Sequence, residues 1–191
     1  MSAVSRPRRL DGVPDPDLVD VRAAQADRAA FAVLYRRYLD RVYGYCFYLL
    51  GDHHDAEDTT ERTFLAALDA IERFRDQGAG FRSWLFRIAH NQVANALRSR
   101  GRRRTYPLES VAEPMAPADP AAEIGQADEA RRVRRALAMV AEDRRQVLVL
   151  RFVDGLSSRE IGAVLDRSPG AVRVLQHRAL RDMREILAAG D

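Results

Sequence analysis

The residues with the clearest chemistry lie in the last part of the chain, where a predicted helix begins at Ser168. A serine before a proline is typical of a helix start, because the hydroxyl caps the first turn and proline needs no amide partner there. An apolar stripe then marks the buried side: Val172, Leu175, Ala179, Met183 and Ile186. The opposite side carries basic and amide groups: Arg173, Gln176, His177, Arg178 and Arg181. Arginine can bind guanine through two hydrogen bonds and glutamine can bind adenine, so this side predicts the reading of base edges in DNA.

A shorter predicted helix stands directly before this one. Ser157 and Glu160 have the spacing of a capping box, in which each side chain bonds the backbone amide of the other residue. Asp166 is suited to the turn that follows, because aspartate tolerates a left-handed backbone. A short helix braced against a longer one with a basic start is the geometry of a helix-turn-helix. We predict DNA contacts at Ser168, Arg173, Gln176, His177, Arg178 and Arg181. The alternative is an ordinary helical hairpin with a solvated basic face.

The first hundred residues show helical periodicity and no alternating strand pattern. The first apolar face has three- and four-residue spacing: Phe31, Leu34, Tyr35, Tyr38, Val42, Tyr45 and Leu49. Asp27 predicts its start and Gly51 its end. A second helix begins between residues 52 and 58 and is expected to bury Phe64, Leu65, Leu68, Ile71 and Phe74. A third helix, over residues 83–98, follows a glycine-containing loop at 75–80.

A change of composition separates this half of the chain from the last third. Four prolines lie between Tyr106 and Pro120, and residues 106–130 hold six acidic residues and no basic one. Proline disfavours helix, so this stretch predicts a linker. Helix resumes by about Ala121, breaks near residues 142–143, and is followed by a short helix that ends at Gly155. We therefore predict an all-α chain with a disordered or extended segment 1–14, a helical domain 15–104, a flexible acidic linker 105–124 and a helix-turn-helix domain 125–191.

Composition predicts the class of protein as well as its fold. With 47% apolar and 31% charged residues, the chain can build cores and stay in solution. Neither an apolar stretch long enough to span a bilayer nor the apolar block of a signal peptide is visible. We therefore expect a cytoplasmic protein without membrane insertion. The single cysteine, Cys46, cannot form an internal disulfide, which agrees with that compartment.

The sequence gives little support for an enzyme or a metal site. Cys46, His53 and His54 are separated by the predicted helix end at Gly51, and no further ligand pair has a finger-like spacing. A phosphate-binding glycine loop, a paired-carboxylate site and a nucleophile elbow are all missing from the sequence. We therefore expect no catalytic residue, no cofactor and no metal.

Several short motifs occur in a fixed order along the chain. The first half contains FAVLYRRY at 31–38, LGD at 50–52, DAED at 55–58, TFL at 63–65 and SWLFRIAHN at 83–91. The second half contains REIGAVL at 159–165 and SPGAVR at 168–173. Together with the linker length, these motifs resemble the extracytoplasmic-function sigma factors of bacterial RNA polymerase, which keep a sigma-2 and a sigma-4 domain. The chain departs from the family pattern at 59–62, where it reads TTER.

The resemblance implies a mechanism and a set of partners. The sigma-4 helix that begins at Ser168 would read the −35 promoter element, and sigma-2 would open the −10 element and hold a flipped base. For the −10 strand and its phosphates the candidates are Phe81, Trp84, Asn91, Arg98, Arg100, Arg102, Arg103 and Arg104. For docking on the clamp helices of core RNA polymerase they are Asp55, Glu57 and Asp58. The resemblance also implies an anti-sigma partner.

Simpler interpretations of the same residues stay open at this point. Phe81 and Trp84 can be core aromatics, Asn91 can face solvent, and the arginine cluster can be a solvated charge run. The acids near the start of the second helix can serve the helix dipole alone. At the level of function, the alternatives are a helix-turn-helix regulator that binds its operator without polymerase, and a module whose helices bind only a partner protein.

Overall fold

The computed structural model describes the backbone of residues 15–103 and 124–189, and the side chains of residues 15–101 and 131–189. Within these ranges every regular element is helical and no strand occurs, which confirms the all-α prediction. The α-helices of the described ranges are α1 (Leu18–Ala26), α2 (Phe31–Leu50), α3 (His53–Ala70), α4 (Gly80–Arg103), α5 (Ile124–Met139), α6 (Glu142–Leu148), α7 (Ser158–Leu165) and α8 (Pro169–Ala189). Residues 1–14 and the predicted linker up to residue 123 lie outside them. None of the described helices is long and apolar enough to cross a membrane.

The corner between α2 and α3 follows the local sequence signals. Gly51 adopts a left-handed backbone with φ of 68°, which ends α2 at the predicted residue. The Asp52 side chain then accepts a hydrogen bond from the Asp55 amide at 2.9 Å and caps α3. One burial prediction in α3 is wrong, because Leu65 is 54% exposed. It follows the buried Phe64 by one position, about 100° around the helix, and so faces away from the core.

Helix α1 was not predicted from the sequence. It is nine residues long and buries only Val21 and Ala24, so its apolar pattern is too short to stand out. Asp17, just before it, is buried and accepts hydrogen bonds from the Tyr38 hydroxyl and from Arg37 Nη1. These bonds fasten the start of α1 to α2.

Helix α4 begins at Gly80, three residues earlier than predicted, and continues to Arg103. Its first turn is held by a distant residue, because the Asp15 carboxylate accepts the Phe81 amide at 2.6 Å. A carboxylate at this end of a helix satisfies an amide that has no partner within the helix. The side chains of α4 that are fully buried are Phe81, Leu85, Phe86, Ala89 and Val93.

The helix-turn-helix in the second half has the predicted boundary chemistry. Ser157 and Glu160 form the complete capping box at the start of α7. Asp166 adopts the left-handed backbone, with φ of 54°, and makes the turn. The Ser168 hydroxyl accepts from the Ala171 amide at 3.1 Å and caps α8. Before α7, the chain passes from α6 into one π-helical turn, Val149–Val153, and Gly155 then ends the segment with φ of 66°.

The two helical halves pack against each other. Helix α7 lies on α4, and the π-helical turn Val149–Val153 lies on α2. An ion pair joins the halves at the first of these contacts, with 2.5 Å between Arg82 Nη2 and Glu160 Oε1. At the second contact, Arg41 of α2 donates to the backbone oxygen of Asp154.

Candidate nucleic-acid interface

Most of the predicted recognition residues lie on the exposed part of α8. Four of them are exposed, namely Arg173, His177, Arg178 and Arg181, and Gln176 is half-buried. Positions 173, 177 and 181 follow at four-residue intervals and therefore lie along one side of the helix. The opposite side buries Val172 and Ala179 against α7 and α6. A helix fixed in this way can present guanidinium, imidazole and amide groups to the edges of bases.

A second polar stripe runs along α4. Its members are all exposed and follow at intervals of four, four and three residues: Arg87, Asn91, Asn95 and Arg98. Arg98 Nη2 donates to Asn95 Oδ1 at 2.6 Å, so the amide and the guanidinium are oriented together. Asn91 and Arg98 were predicted from the sequence. Arg87 and Asn95 were missed, although their helical spacing from Asn91 was visible in the sequence.

The loop before α4 is held in a defined shape by its own side chains. One oxygen of Asp76 accepts from the amides of Gly78, at 2.8 Å, and Gly80, at 2.9 Å. Both glycines have a positive φ, 86° and 80°, which glycine adopts without strain. Gln25 of α1 donates to the Phe74 carbonyl at 2.9 Å and fixes the start of the loop. The loop therefore has a preorganised shape where it leads into α4.

The structure corrects the role predicted for Phe81. Its ring is 0% exposed and packs edge-on against Tyr38 and Phe74, at centroid distances of 5.7 and 5.9 Å. The first turn of α4 points this side chain into the core, so Phe81 is not a surface on which a base can stack. Trp84 is half-buried, 5.0 Å from Phe74 and 5.5 Å from Phe81, and keeps part of its ring accessible.

Arg100 is bound to residues at the corner between α2 and α3. Its Nε lies 2.8 Å from Asp55 Oδ2, and its Nη1 donates to the Leu50 carbonyl at 2.7 Å. Arg100 was predicted to contact DNA phosphate and Asp55 to contact polymerase, yet the structure pairs them across the α2–α3 corner. The side chains of Arg102 and Arg103, and all of Arg104, lie outside the described residues.

A groove between α2 and α3 is bordered by Glu57, one of the predicted polymerase-binding acids. It has a volume of about 550 Å³. Its walls include the exposed apolar groups Tyr35 and Leu65, 40% and 54% exposed, and its rim carries Asp40, Glu57 and Glu61. Asp58 lies on α3 as well, with its carboxylate 3.8 Å from Arg62. The three predicted acids therefore have different surroundings, and only Glu57 borders the groove.

Two of the three metal-ligand types near Gly51, His53 and Cys46, have other surroundings. The Tyr43 hydroxyl and His53 Nδ1 lie 2.5 Å apart in a hydrogen bond. Cys46 is buried, and burial raises the pKa of its thiol to about 12, so it stays protonated at neutral pH. Among the residues that the structure describes, no three potential ligands come together.

Comparison with known proteins agrees with the geometry of both halves. The family profile "Sigma-70 region 2" matches residues 34–103, and "Sigma-70, region 4" matches residues 130–183. The ECF RNA polymerase sigma factor SigD of Mycobacterium tuberculosis (strain H37Rv) is 37% identical over 181 residues, covering 92% of this chain and 85% of SigD.

Two solved structures share the fold across most of the chain. CnrH, solved in complex with the cytosolic domain of CnrY, is 26% identical with a TM-score of 0.71, covering 93% of this chain and all of CnrH. RpoE from Bartonella quintana, solved with the anti-sigma factor NepR, is 25% identical with a TM-score of 0.68, covering 83% of this chain and 96% of RpoE. SigD is 37% identical over most of both chains, and the two sigma-70 regions match in order. The chain therefore belongs to the extracytoplasmic-function sigma factors of bacterial RNA polymerase.

Proposed function

We propose that this protein binds core RNA polymerase and directs it to promoters, where one half opens the −10 element and the other reads the −35 element. The observation that carries the proposal is the pair of exposed polar faces, one on α4 and one on α8, in separate halves of the chain. Residues 15–104 and 125–191 form the two domains, and residues 105–124 link them. The protein supplies recognition and leaves catalysis to the polymerase, and it acts in the cytoplasm because polymerase and DNA are there.

The decisive experiment is run-off transcription with purified core polymerase on a genomic fragment library. We expect specific transcripts only when both core enzyme and this protein are present. A gel shift should show weak binding of the free protein to the same promoters. Strong, specific binding to DNA without polymerase would instead identify a stand-alone helix-turn-helix regulator, and an absence of polymerase-dependent transcripts would contradict the proposal.

For the −35 element, we expect Arg173→Ala to weaken recognition while the fold stays intact. A bidentate contact between arginine and a guanine discriminates by about 1–3 kcal/mol, which is a change of roughly 5- to 150-fold. Arg173 is exposed, so the melting temperature should not change. The measurement is run-off transcription from promoters with single −35 substitutions, and Arg184→Ala, an exposed arginine three turns further along α8, is the control. Unaltered promoter selectivity would remove Arg173 from the interface.

For the phosphate contacts, we expect the triple variant Arg102→Ala, Arg103→Ala, Arg104→Ala to weaken promoter binding by the holoenzyme regardless of sequence. Each lost phosphate contact lowers the slope of log K against log salt by about 0.7–0.9. The measurement is promoter affinity of the holoenzyme at several salt concentrations. Replacing the same three residues by lysine keeps the charge and should keep the slope. A slope that the alanine variant leaves unaltered would mean that these arginines are only solvated.

For polymerase docking, we propose that the groove between α2 and α3 takes an apolar and basic surface of core RNA polymerase. Its apolar walls and acidic rim suit such a surface, and Glu57 is part of that rim. We expect Leu65→Asp to lower the affinity for core enzyme at least about tenfold, because it places a charge where apolar contact is made. Val19→Asp on α1, at a position that is 76% exposed, is the matched control. Core affinity equal to that of the unmodified protein would exclude the groove as the docking site.

The proposal extends to an inhibitory partner. RpoE from Bartonella quintana was solved in complex with the anti-sigma factor NepR. We propose that an anti-sigma factor likewise binds this chain and keeps it from polymerase. Co-purification with a candidate inhibitor, followed by loss of run-off transcription when the inhibitor is added to the holoenzyme, would test this.

A further inference from the structure

An exposed valine lies among the basic side chains at the start of α8. Val174 is 51% exposed, although it comes only two residues after the fully buried Val172. Two residues correspond to about 200° around a helix, so Val174 points away from the core. Arg173 directly precedes it, and Arg178 lies one turn further along on the same side. The valine is therefore part of the face that we assign to the −35 element.

Neither packing nor helix formation accounts for a valine at this position. The contact of α8 with α7 and α6 buries Val172 and Ala179, which lie on the other side of the helix. Valine is also a weaker helix former than alanine or arginine, because its branched Cβ loses rotamer freedom against the preceding turn. An exposed helix position without a packing partner therefore favours alanine or a long polar residue. The valine at position 174 fits a contact with an apolar group outside the chain.

The first turn of α8 leaves space beside this valine. Gly170 is exposed and lies one turn before Val174 on the same side of the helix. Outside the helix backbone, a Cβ placed on Gly170 would meet nothing closer than the Ser168 hydroxyl at 3.8 Å and Arg173 Nη2 at 4.0 Å. Because Gly170 has no side chain, a base edge can approach the backbone here, close to the Arg173 guanidinium and the Val174 methyl groups.

The major groove of DNA contains one apolar group that such a residue can recognise. Thymine carries a 5-methyl group beside its O4 acceptor, and none of the other three bases has one. Arginine recognises guanine in the same groove through two hydrogen bonds. Arg173 and Val174 are consecutive, and stacked bases are about 3.4 Å apart, so the two residues can reach bases within about two steps of each other. Their chemistry therefore matches a thymine close to a guanine.

We propose that Val174 determines the specificity of α8 for a thymine in the −35 element, through contact with the 5-methyl group of that base. Arg173 reads a guanine nearby, so the two residues together define a short part of the element. The sequence pattern had assigned only polar residues of α8 to DNA. This inference rests on the proposed function, because it assigns a base to one residue of the same DNA face.

The test removes the two partners of this contact one at a time. Deoxyuridine lacks only the 5-methyl group of thymidine, so each thymine of the −35 element, on either strand, is replaced by deoxyuridine in turn. Promoter affinity is measured for the holoenzyme of core polymerase and the full chain. For the unmodified protein, we expect one replacement to lower the affinity about fourfold, the effect of one buried methyl-sized group. Val174→Ser should bind the thymine and deoxyuridine forms of that promoter equally, because both changes remove the same contact.

Two further variants serve as controls. Val174→Ile keeps a branched apolar side chain and should retain the loss of affinity at the same thymine. Leu180→Ser removes another apolar group of α8, which is 41% exposed and lies about 9 Å further along the helix, and it should also retain that loss. Both serine variants should keep the helical circular dichroism of the unmodified protein, since both positions are exposed.

The proposal would be overturned by a −35 element without thymine on either strand, or by unmodified protein that binds every deoxyuridine promoter as well as the thymine promoter. A Val174→Ser variant that still loses affinity at the same base would overturn it too. Run-off transcription from the thymine promoter tests the proposed function separately. Transcripts without a deoxyuridine effect would refute only the role of Val174, whereas an absence of transcripts would refute the proposed function.

Discussion

Asp154→Asn is expected to stabilise the protein at pH 8 and to remove the loss of stability that ionisation of this carboxyl causes as the pH rises. Asp154 is buried, and neither carboxylate oxygen has a hydrogen-bond partner within the described residues. The nearest cation is Arg41, with 3.8 Å between its Nε and Asp154 Oδ1. Burial raises the pKa of this carboxyl from 3.8 to about 8, against the opposing effect of Arg41 and Arg82. The folded protein therefore retains a proton that the unfolded chain releases.

The sign of the pH effect follows from that retained proton. Between pH 4 and pH 8 this carboxyl binds more protons in the folded state than in the unfolded state, so its contribution to stability falls as the pH rises. The steepest slope that one full proton allows is about 1.4 kcal/mol per pH unit. Urea unfolding from pH 4.5 to pH 8.5 would measure it, and Asp166→Asn, an exposed position in the turn before α8, is the control. A slope that is the same in the unmodified protein and in Asp154→Asn would show that this carboxyl ionises freely.

Asp17→Ala is expected to lower the free energy of unfolding by about 3 kcal/mol, because it removes one partner from a buried hydrogen-bonded ion pair. The Tyr38 hydroxyl would lose its acceptor inside the core, and Arg37 would lose a carboxylate at 2.5 Å. Arg37 is partly exposed and keeps its ion pair with Asp20. The expected loss of stability is therefore at the lower end of the range for broken buried ion pairs. Denaturant unfolding measures the change.

A second variant separates the two bonds that Asp17 makes. Tyr38→Phe removes only the hydroxyl and should cost about 1.5 kcal/mol, the lower end for a hydrogen bond to a charged group. A loss below 1 kcal/mol for Asp17→Ala would contradict the prediction, since it would mean that the attachment of α1 adds little to the stability of the first half. Hydrogen exchange of α1 would then be as fast in the unmodified protein as in the variant.

Features set by residues close together in the chain could be predicted from the sequence. The capping box at Ser157 and Glu160 spans three positions, and the left-handed backbone of Asp166 and Gly51 depends on the residue itself. The same holds for the stripe that turns Arg173 outward, because helical spacing alone decides it. These signals were enough to give the helical class and the direction of the recognition face.

Features set by distant partners could not be predicted in this way. The early start of α4 depends on a bond from the Phe81 amide to Asp15, 66 residues away. That bond turns Phe81 into the core. The local sequence pattern had instead predicted an aromatic ring beside the DNA. Leu65 faces the groove because Phe64 already fills the core side of α3, which apolar periodicity does not distinguish. Contacts between the halves, such as Arg82 with Glu160, join positions 78 residues apart.

The bond between Arg100 and Asp55 has a consequence for genetic work on this protein. A substitution at Arg100 would be chosen to damage DNA binding, yet it also removes the ion pair with Asp55 in the first turn of α3. Selections for loss of transcription should therefore group Arg100 lesions with those that impair assembly of the holoenzyme. If Asp55→Arg restores transcription to the Arg100→Glu variant, the defect of that variant lies in the ion pair at the α2–α3 corner. The result should not depend on the promoter used for the screen.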